Sequence, residues 1–494
     1  MLGLAFWLRN ESSQLRLFHA DEGVQSYQAW RLIETGDYRY DPSEHHGPLL
    51  YYVTKWMAPF LEDSSGALSD AGMRRVPLLF SLVTLVFGLS VFRRCGAGLA
   101  LLWGLLFAAA PLNVIYGSYF VQEALLVCFT LAFLVAIHGY WQRPCWMWAS
   151  VVGVTLGLMH VTKETVVLHV AAIGLALVLI AWIQKKSIPV ALTAFFKHLG
   201  LAVGLALLMH CLFFSSFFRN PQGIVDGFAT FFSYADRSQG QGHEKPFLYY
   251  LSLLLPQRLE GVRWGELAFL VAVVVGVIRS FRKVRENGFS AFVVLSGIIM
   301  IVVYSVIPYK NPWLLLGPYC LLSYAASFGV IDLFRMGIME SERVRKWSLY
   351  AAAAGVLLFL GFELRSNLNK AIYLYSSAAR NPYLYMHTTP RYATLVERLN
   401  SVSESEGIAV YSPDASWPLP WHLRERERVG YWSDLENYKP RGIDLIDTRL
   451  LLGNESVMSD GAFWELHGLR PNTLLALRAE DGIAVKWINA NAKD

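Results

Sequence analysis

The chain has 494 residues, 54% of them hydrophobic and only 16% charged, with a formal net charge of +5 and a mean hydropathy of +0.37. A soluble protein carries about a quarter charged residues, so this composition excludes a disordered chain, a coiled coil and an ordinary cytosolic enzyme. It points to a polytopic α-helical membrane protein with some water-exposed mass attached. The basic excess does not signal nucleic acid, because the basic clusters sit mainly in short connections between apolar runs, where they set topology.

Residues 1–8 (MLGLAFWL) are apolar but too short to span a bilayer. A wet stretch over 9–73 follows, containing His19-Ala20-Asp21-Glu22-Gly23 and a helical pattern over 24–34 closed by Gly36. Further along lie Asp37 to Pro42 and His45-His46-Gly47-Pro48, with Pro48 placed to open another helix. Apolar runs then cover 75–92, 97–117, 124–141, 146–161, 166–183, 198–214, 265–279, 289–307, 313–334 and 347–363. They are continuous rather than alternating, which predicts helices and not barrel strands, about ten to eleven membrane helices in all. The five cysteines (Cys95, Cys128, Cys145, Cys211, Cys320) lie in or beside these runs, so neither a disulfide framework nor a CxxC metal site is expected.

Basic residues mark alternate connections: Arg93 and Arg94, Arg143, Lys185 and Lys186, Arg279 to Arg285, Arg335 and Arg343 to Lys346. That side is expected to be cytoplasmic. The opposite set is then extracytoplasmic: 9–73, 118–123, 162–165, 215–264, 308–312 and everything after 364. This divides the chain into a transmembrane domain over 1–363, with a large first external loop, and a small soluble α/β domain over 364–494. In the latter, strands are expected at 407–411, 443–446, 473–478 and 482–487, and helices near 391–401 and 457–467.

The chemistry concentrates at the external edges. Asp21 and Glu22 sit in the first loop. Glu123 opens one span, Lys163 and Glu164 join two more, and Tyr309-Lys310 with Trp313 opens another. Charge at membrane depth is costly and marks pathways or sites. A carboxylate serves as general base toward an incoming hydroxyl, and cations or a metal ion stabilise a departing phosphate. Lys163 and Lys310 are placed for a phosphate head group. His19, Asp21, His46 and Glu123 are candidate ligands for a divalent metal ion, at a spacing that selects no particular metal. No nucleotide-binding loop stands out, which favours a lipid-linked donor over a sugar nucleotide.

The segments HADEGVQSYQAWRLIETGDYRYDPSEHHGPLLYY, YGSYFVQEALLV, GLMHVTKETVVL, PYKNPWLLL and DASWPLPWHLR resemble GT-C-type membrane glycosyltransferases. The clan is that of protein O-mannosyltransferases and aminoarabinose transferases, and the nearest branch is the prokaryotic "flippase activity-associated" one. The resemblance implies a polyprenyl-phosphate sugar donor, a glycan, lipid or protein acceptor, and inverting transfer outside the cytoplasm at the cell (inner or plasma) membrane. It maps the catalytic acid of the first external loop onto Asp21, with Glu22 adjacent, and a second acidic position onto Glu123. Lys163, Glu164, Lys310, His46, Tyr309 and Trp313 are the expected substrate-binding residues. The competing readings are a flippase or transporter of lipid-linked sugars, and a non-catalytic relative. A transporter predicts polar or charged residues at mid-membrane and Gly/Pro-broken helices related by an internal repeat, and neither feature is clear in the sequence. His138, His160, His169 and His210 are expected to be satisfied helix-packing histidines.

Overall fold

The computed structural model describes residues 1–186, 190–237, 244–414, 416–452, 454, 457 and 462–491. By contacts these fall into two compact units. One holds Met1–Leu15 with Arg31–Leu374, the other Arg16–Trp30 with Tyr375–Asp494.

The first unit is helical. It opens with α1 (Leu2–Leu15), then the end of α2 (Ala20–Thr35), α3 (Leu49–Met57) and the short α4 (Asp70–Met73). The expected runs follow as α5 (Arg75–Phe92), α6 (Ala97–Ala109) with α7 (Pro111–Tyr116), α8 (Glu123–Gln142), α9 (Trp146–His160), α10 (Val166–Gln184) and α11 (Leu192–Phe214). An amphipathic α12 (Gln222–Arg237), α13 (Tyr249–Leu254) and a hairpin of β1 (Gln257–Leu259) and β2 (Val262–Trp264) separate these from α14 (Leu267–Arg282), α15 (Gly288–Val306), α16 (Leu316–Met339) and α17 (Arg343–Leu368). Among the described residues seven helices are long and apolar enough to cross a membrane. α6, α9 and α14 are shorter, at 13, 15 and 16 residues, so the expected ten to eleven spans include three helices below the roughly 20 residues a full crossing takes. α16 lies at the centre, with 94% of its apolar window buried, while α11, at 11%, turns most of its surface outward.

The predicted span over 97–117 is broken, and the sequence supplies the cause. Pro111 has no N–H to give to the Phe107 carbonyl and pushes Ala110 to an extended ψ of 132°. The freed carbonyls are taken by Arg9 of α1. Its guanidinium donates to Phe107 O at 3.0 Å and Ala108 O at 3.0 Å, and its Nε donates to Ser81 Oγ at 2.8 Å. A fully buried arginine thus caps the end of α6, where the helix dipole favours a cation. The expected external loop over 9–73 therefore begins inside a helix, which runs to Leu15 and packs on α5, α6 and α7.

The second unit is an α/β sandwich. Its helices are α18 (Pro390–Asn400), α19 (Leu419–His422), α20 (Thr448–Leu451) and α21 (Asp481–Asn491), and its strands are β3 (Ile408–Tyr411), β4 (Val429–Trp432), β5 (Ile443–Asp447), β6 (Phe463–Arg470) and β7 (Thr473–Ala479). The sheet order is β4-β3-β5-β7-β6, with β4, β3 and β5 parallel and β7 antiparallel to both its neighbours. Strand alternation divides the core. Ile408, Val410, Ile443 and Leu445 pack with Leu395 and Leu399 of α18 on one face, and Ala409, Tyr411 and Ile446 lie on the other.

Two expected elements change type. The strand expected at 482–487 is part of α21, where Ile483, Ala484 and Trp487 are buried at helical spacing. The helix expected near 457–467 is a strand from Phe463 onward; residues 458–461 of that stretch lie outside those described. β4 had no counterpart in the sequence reading. The division between the units also falls at Leu374 rather than after residue 363, because helical structure continues unbroken to Leu374.

Candidate active site

Asp21 and Glu22 belong to the second unit, in the first turn of α2, which starts four residues before the predicted pattern. The two adjacent carboxylates differ completely in environment. Glu22 is fully buried, pairs with Arg16 at 2.8 Å and accepts the His19 N–H at 3.1 Å. The Asp21 side chain is 47% exposed. Its backbone N–H donates to His19 Nδ1 at 3.0 Å, while His19 Nε2 donates to Tyr385 O at 2.8 Å. The segment is tied to its unit by Thr388 Oγ1 donating to Phe18 O and by Phe18 stacking on the fully buried Trp421. Trp421 thus anchors the segment through a buried aromatic contact.

The other candidate residues lie in the helical unit. Glu123 is the first residue of α8, and its Oε1 accepts from Lys163 Nζ in a close ion pair with both side chains almost fully buried. Lys163 therefore pairs with a residue forty positions away, not with its neighbour Glu164. Glu164 instead takes His46, with Nδ1 3.1 Å from Oε2. Gly47 makes that contact available. A Cβ there would lie 2.3 Å from Val161 O, so only glycine lets the loop settle on this backbone, where Leu49 N–H also donates to Val161 O at 2.9 Å. Burial raises the Glu164 carboxyl, but the charge and hydrogen bond of His46, and then Lys163, outweigh it and bring the pKa down to about 2. Tyr234 of α12 packs its ring against His46, with the centroids 5.9 Å apart.

Lys310 is buried and held by backbone. Its ammonium donates to Lys245 O at 3.0 Å and Ile307 O at 2.5 Å, and burial lowers its pKa. Tyr309 pairs as a bridge with Glu244. Trp313 stacks on Tyr119 and meets Tyr116 edge-on. One oxygen each of Glu123 and Glu164, Oε2 and Oε1, is buried without a hydrogen-bond partner, so each carboxylate retains acceptor capacity toward an incoming donor group. Tyr234 is a residue that sequence reasoning passed over. The apolar spacing of α12 within the external stretch 215–264 was the available signal.

Of the four candidate metal ligands, His19 and Asp21 belong to the second unit and His46 and Glu123 to the first. Both ring nitrogens of His19 are spent on Asp21 N–H and Tyr385 O, His46 is engaged by Glu164 and Glu123 by Lys163. Among the described residues no group of three or more His, Cys, Asp or Glu is placed to hold an ion.

Residues 45–214 match the family described as dolichyl-phosphate-mannose-protein mannosyltransferase. The matched segment contains His46, Glu123, Lys163 and Glu164. Among solved structures, ArnT from Cupriavidus metallidurans bound to undecaprenyl phosphate is similar over 96% of both chains, at 15% identity and a TM-score of 0.64. The chain has the fold of GT-C-type membrane glycosyltransferases. The oligosaccharyltransferase of Archaeoglobus fulgidus in its apo form is similar over 87% of this chain and 64% of its own, at 12% identity and a TM-score of 0.54. No curated protein matches by sequence. The family match covers residues 45–214, and the likenesses to the two solved structures are likenesses of fold. All four of the expected helical packing histidines are engaged. His160 and His210 bond each other at 2.8 Å, His169 bonds Thr130 and Tyr304, and His138 packs against Phe292.

Proposed function

We propose that the protein transfers a sugar from a polyprenyl-phosphate donor to a hydroxyl acceptor on the extracytoplasmic side of the cell membrane, with inversion at the anomeric carbon. The observation that carries this reading is the buried pair of Glu123 and Lys163 beside Glu164 and His46. It is a charged cluster at one end of a lipid-facing helical bundle, inside the family-matched segment. The neighbouring ArnT holds undecaprenyl phosphate, which supports a lipid-phosphate donor here.

In the proposed reaction Asp21 takes the proton of the acceptor hydroxyl, the acceptor oxygen forms its bond to the sugar C1, and the bond from C1 to phosphate breaks. The polyprenyl phosphate leaves with the electron pair. Lys163 and Lys310 offset the charge that develops on the phosphate. An ammonium has three N–H donors; Glu123 takes one of those on Lys163, and a phosphate oxygen takes another. Glu22, locked to Arg16, holds the first turn of α2 so that Asp21 is presented to solvent.

The direct test is transfer by the purified full chain in liposomes, with a panel of polyprenyl-phosphate sugars and with or without a chelator. A glycosylated product is expected, and its loss on chelation would assign a divalent metal ion to the reaction. Movement of the lipid-linked sugar across the bilayer without any product would replace this reading with a flippase.

The sidedness rests on the basic residues of the alternate connections and has its own test. In a cysteine-less background, an impermeant thiol reagent added outside is expected to label Ser64→Cys and Ser433→Cys but not Ser341→Cys, all exposed positions. Labelling of the Ser341 position alone would reverse the orientation.

A further inference from the structure

Beneath the charged cluster lies a second polar layer that the proposed reaction does not use. His169 is on α10, six residues past Lys163, and is 2% exposed. Its Nδ1 is 2.7 Å from Thr130 Oγ1 and its Nε2 is 2.8 Å from Tyr304 OH. A neutral imidazole donates from one ring nitrogen and accepts at the other, so one ring serves both hydroxyls. Thr130 is on α8, seven residues after Glu123 and hence on the same face of that helix. Tyr304 is on α15, six residues before Lys310. The three elements joined at this imidazole are thus the ones that deliver Glu123, Lys163 with Glu164, and Lys310.

We propose that His169 is a positioning residue for sugar transfer: one buried imidazole sets the mutual spacing of the helices that carry the acid, the two lysines and the His46-bound glutamate. This rests on the functional reading above. Apolar packing alone lets helices slide by fractions of an ångström at small cost, whereas two directional hydrogen bonds of 2.7–2.8 Å fix both depth and rotation. A misplacement of about 1 Å from a substitution remote from the chemistry lowers rates by about 10²-fold.

Three variants test it. Thr130→Val and Tyr304→Phe each delete one hydrogen bond at nearly constant shape, and His169→Phe deletes both while keeping a ring. Turnover is measured per folded molecule, with the folded fraction fixed by Tm in the same detergent, and the donor KM is measured alongside. The expected result is a kcat lowered about 10-fold to 10²-fold, with KM changed far less. The Thr130→Val/Tyr304→Phe double variant should be no worse than His169→Phe, because both deletions act through the same ring. Wild-type kcat per folded molecule in His169→Phe, whatever its Tm, would reduce the histidine to packing and overturn the proposal. So would a raised donor KM at unchanged kcat. A wild-type protein that forms no product with any lipid-phosphate sugar would overturn the functional reading, and the positioning role with it.

Discussion

Asp21→Asn is expected to lower the transfer rate by about 10²–10⁴-fold, the range lost with a positioned general base. The substitution keeps size and hydrogen bonding and removes only the basic carboxylate. Asp21 is the exposed member of its pair, at 47% of its side-chain surface, and its own N–H bond to His19 runs through the backbone and survives. The loss of a negative charge in the first turn of α2 costs under about 1 kcal/mol, so unfolding transitions of the two proteins should nearly coincide. Donor affinity is expected to stay unchanged, since the phosphate contacts are proposed for Lys163 and Lys310. Glu22→Gln behaves differently. It leaves the buried Arg16 without its counter-charge, so its effect appears first in stability. Turnover of Asp21→Asn close to wild type would remove Asp21 from the base role and leave α2 as scaffold.

Lys163→Ala is the second large effect, and its first consequence is structural. The side chains of Lys163 and Glu123 are 3% and 4% exposed. Removing one partner of a buried pair strands the other charge and destabilises by about 3–5 kcal/mol. Lys163→Met combined with Glu123→Gln removes both charges and should recover most of that stability in denaturant or thermal unfolding. The two roles of Lys163 separate in this double variant. If the lysine also holds the donor phosphate, the refolded double variant still binds polyprenyl phosphate weakly. A double variant that regains stability and full donor affinity together would make the pair purely structural and shift phosphate binding to Lys310.

The division of labour between sequence and tertiary structure shows in these same residues. Continuous apolar runs from Arg75 to Leu368 determine membrane helices by themselves, because backbone in lipid must satisfy its own hydrogen bonds. Ahead of them, Gly36 and Pro48 close and open helices by local backbone rules, with Gly36 at φ +70°, whereas Pro111 breaks a run that the sequence analysis takes as one span. The expectation that charge gathers at the connections after α7, α9 and α15 is also local, since it needs only Glu123, Lys163, Glu164 and Lys310 next to apolar runs.

Pairing is not local. Lys163 and Glu164 are neighbours in sequence, yet in the folded chain Lys163 goes to Glu123 and Glu164 to His46. That choice depends on which carboxylates are desolvated together, and it required Gly47 to admit His46 to the Val161 backbone. Likewise the segment Arg16–Trp30 looks like part of a loop, but Phe18, His19 and Thr388 tie it to the C-terminal sheet unit. In that unit Ile483 to Trp487 carry β-favouring residues in a helix, while Phe463 to His467 form a strand, because short segments take the conformation that buries their apolar side chains against neighbours, and those neighbours come from elsewhere in the chain. The sequence determined a membrane-embedded helical protein with acids and lysines at its connections. Only the tertiary structure decided which acid meets which base, since burial and pairing act through space between residues that chain spacing does not relate.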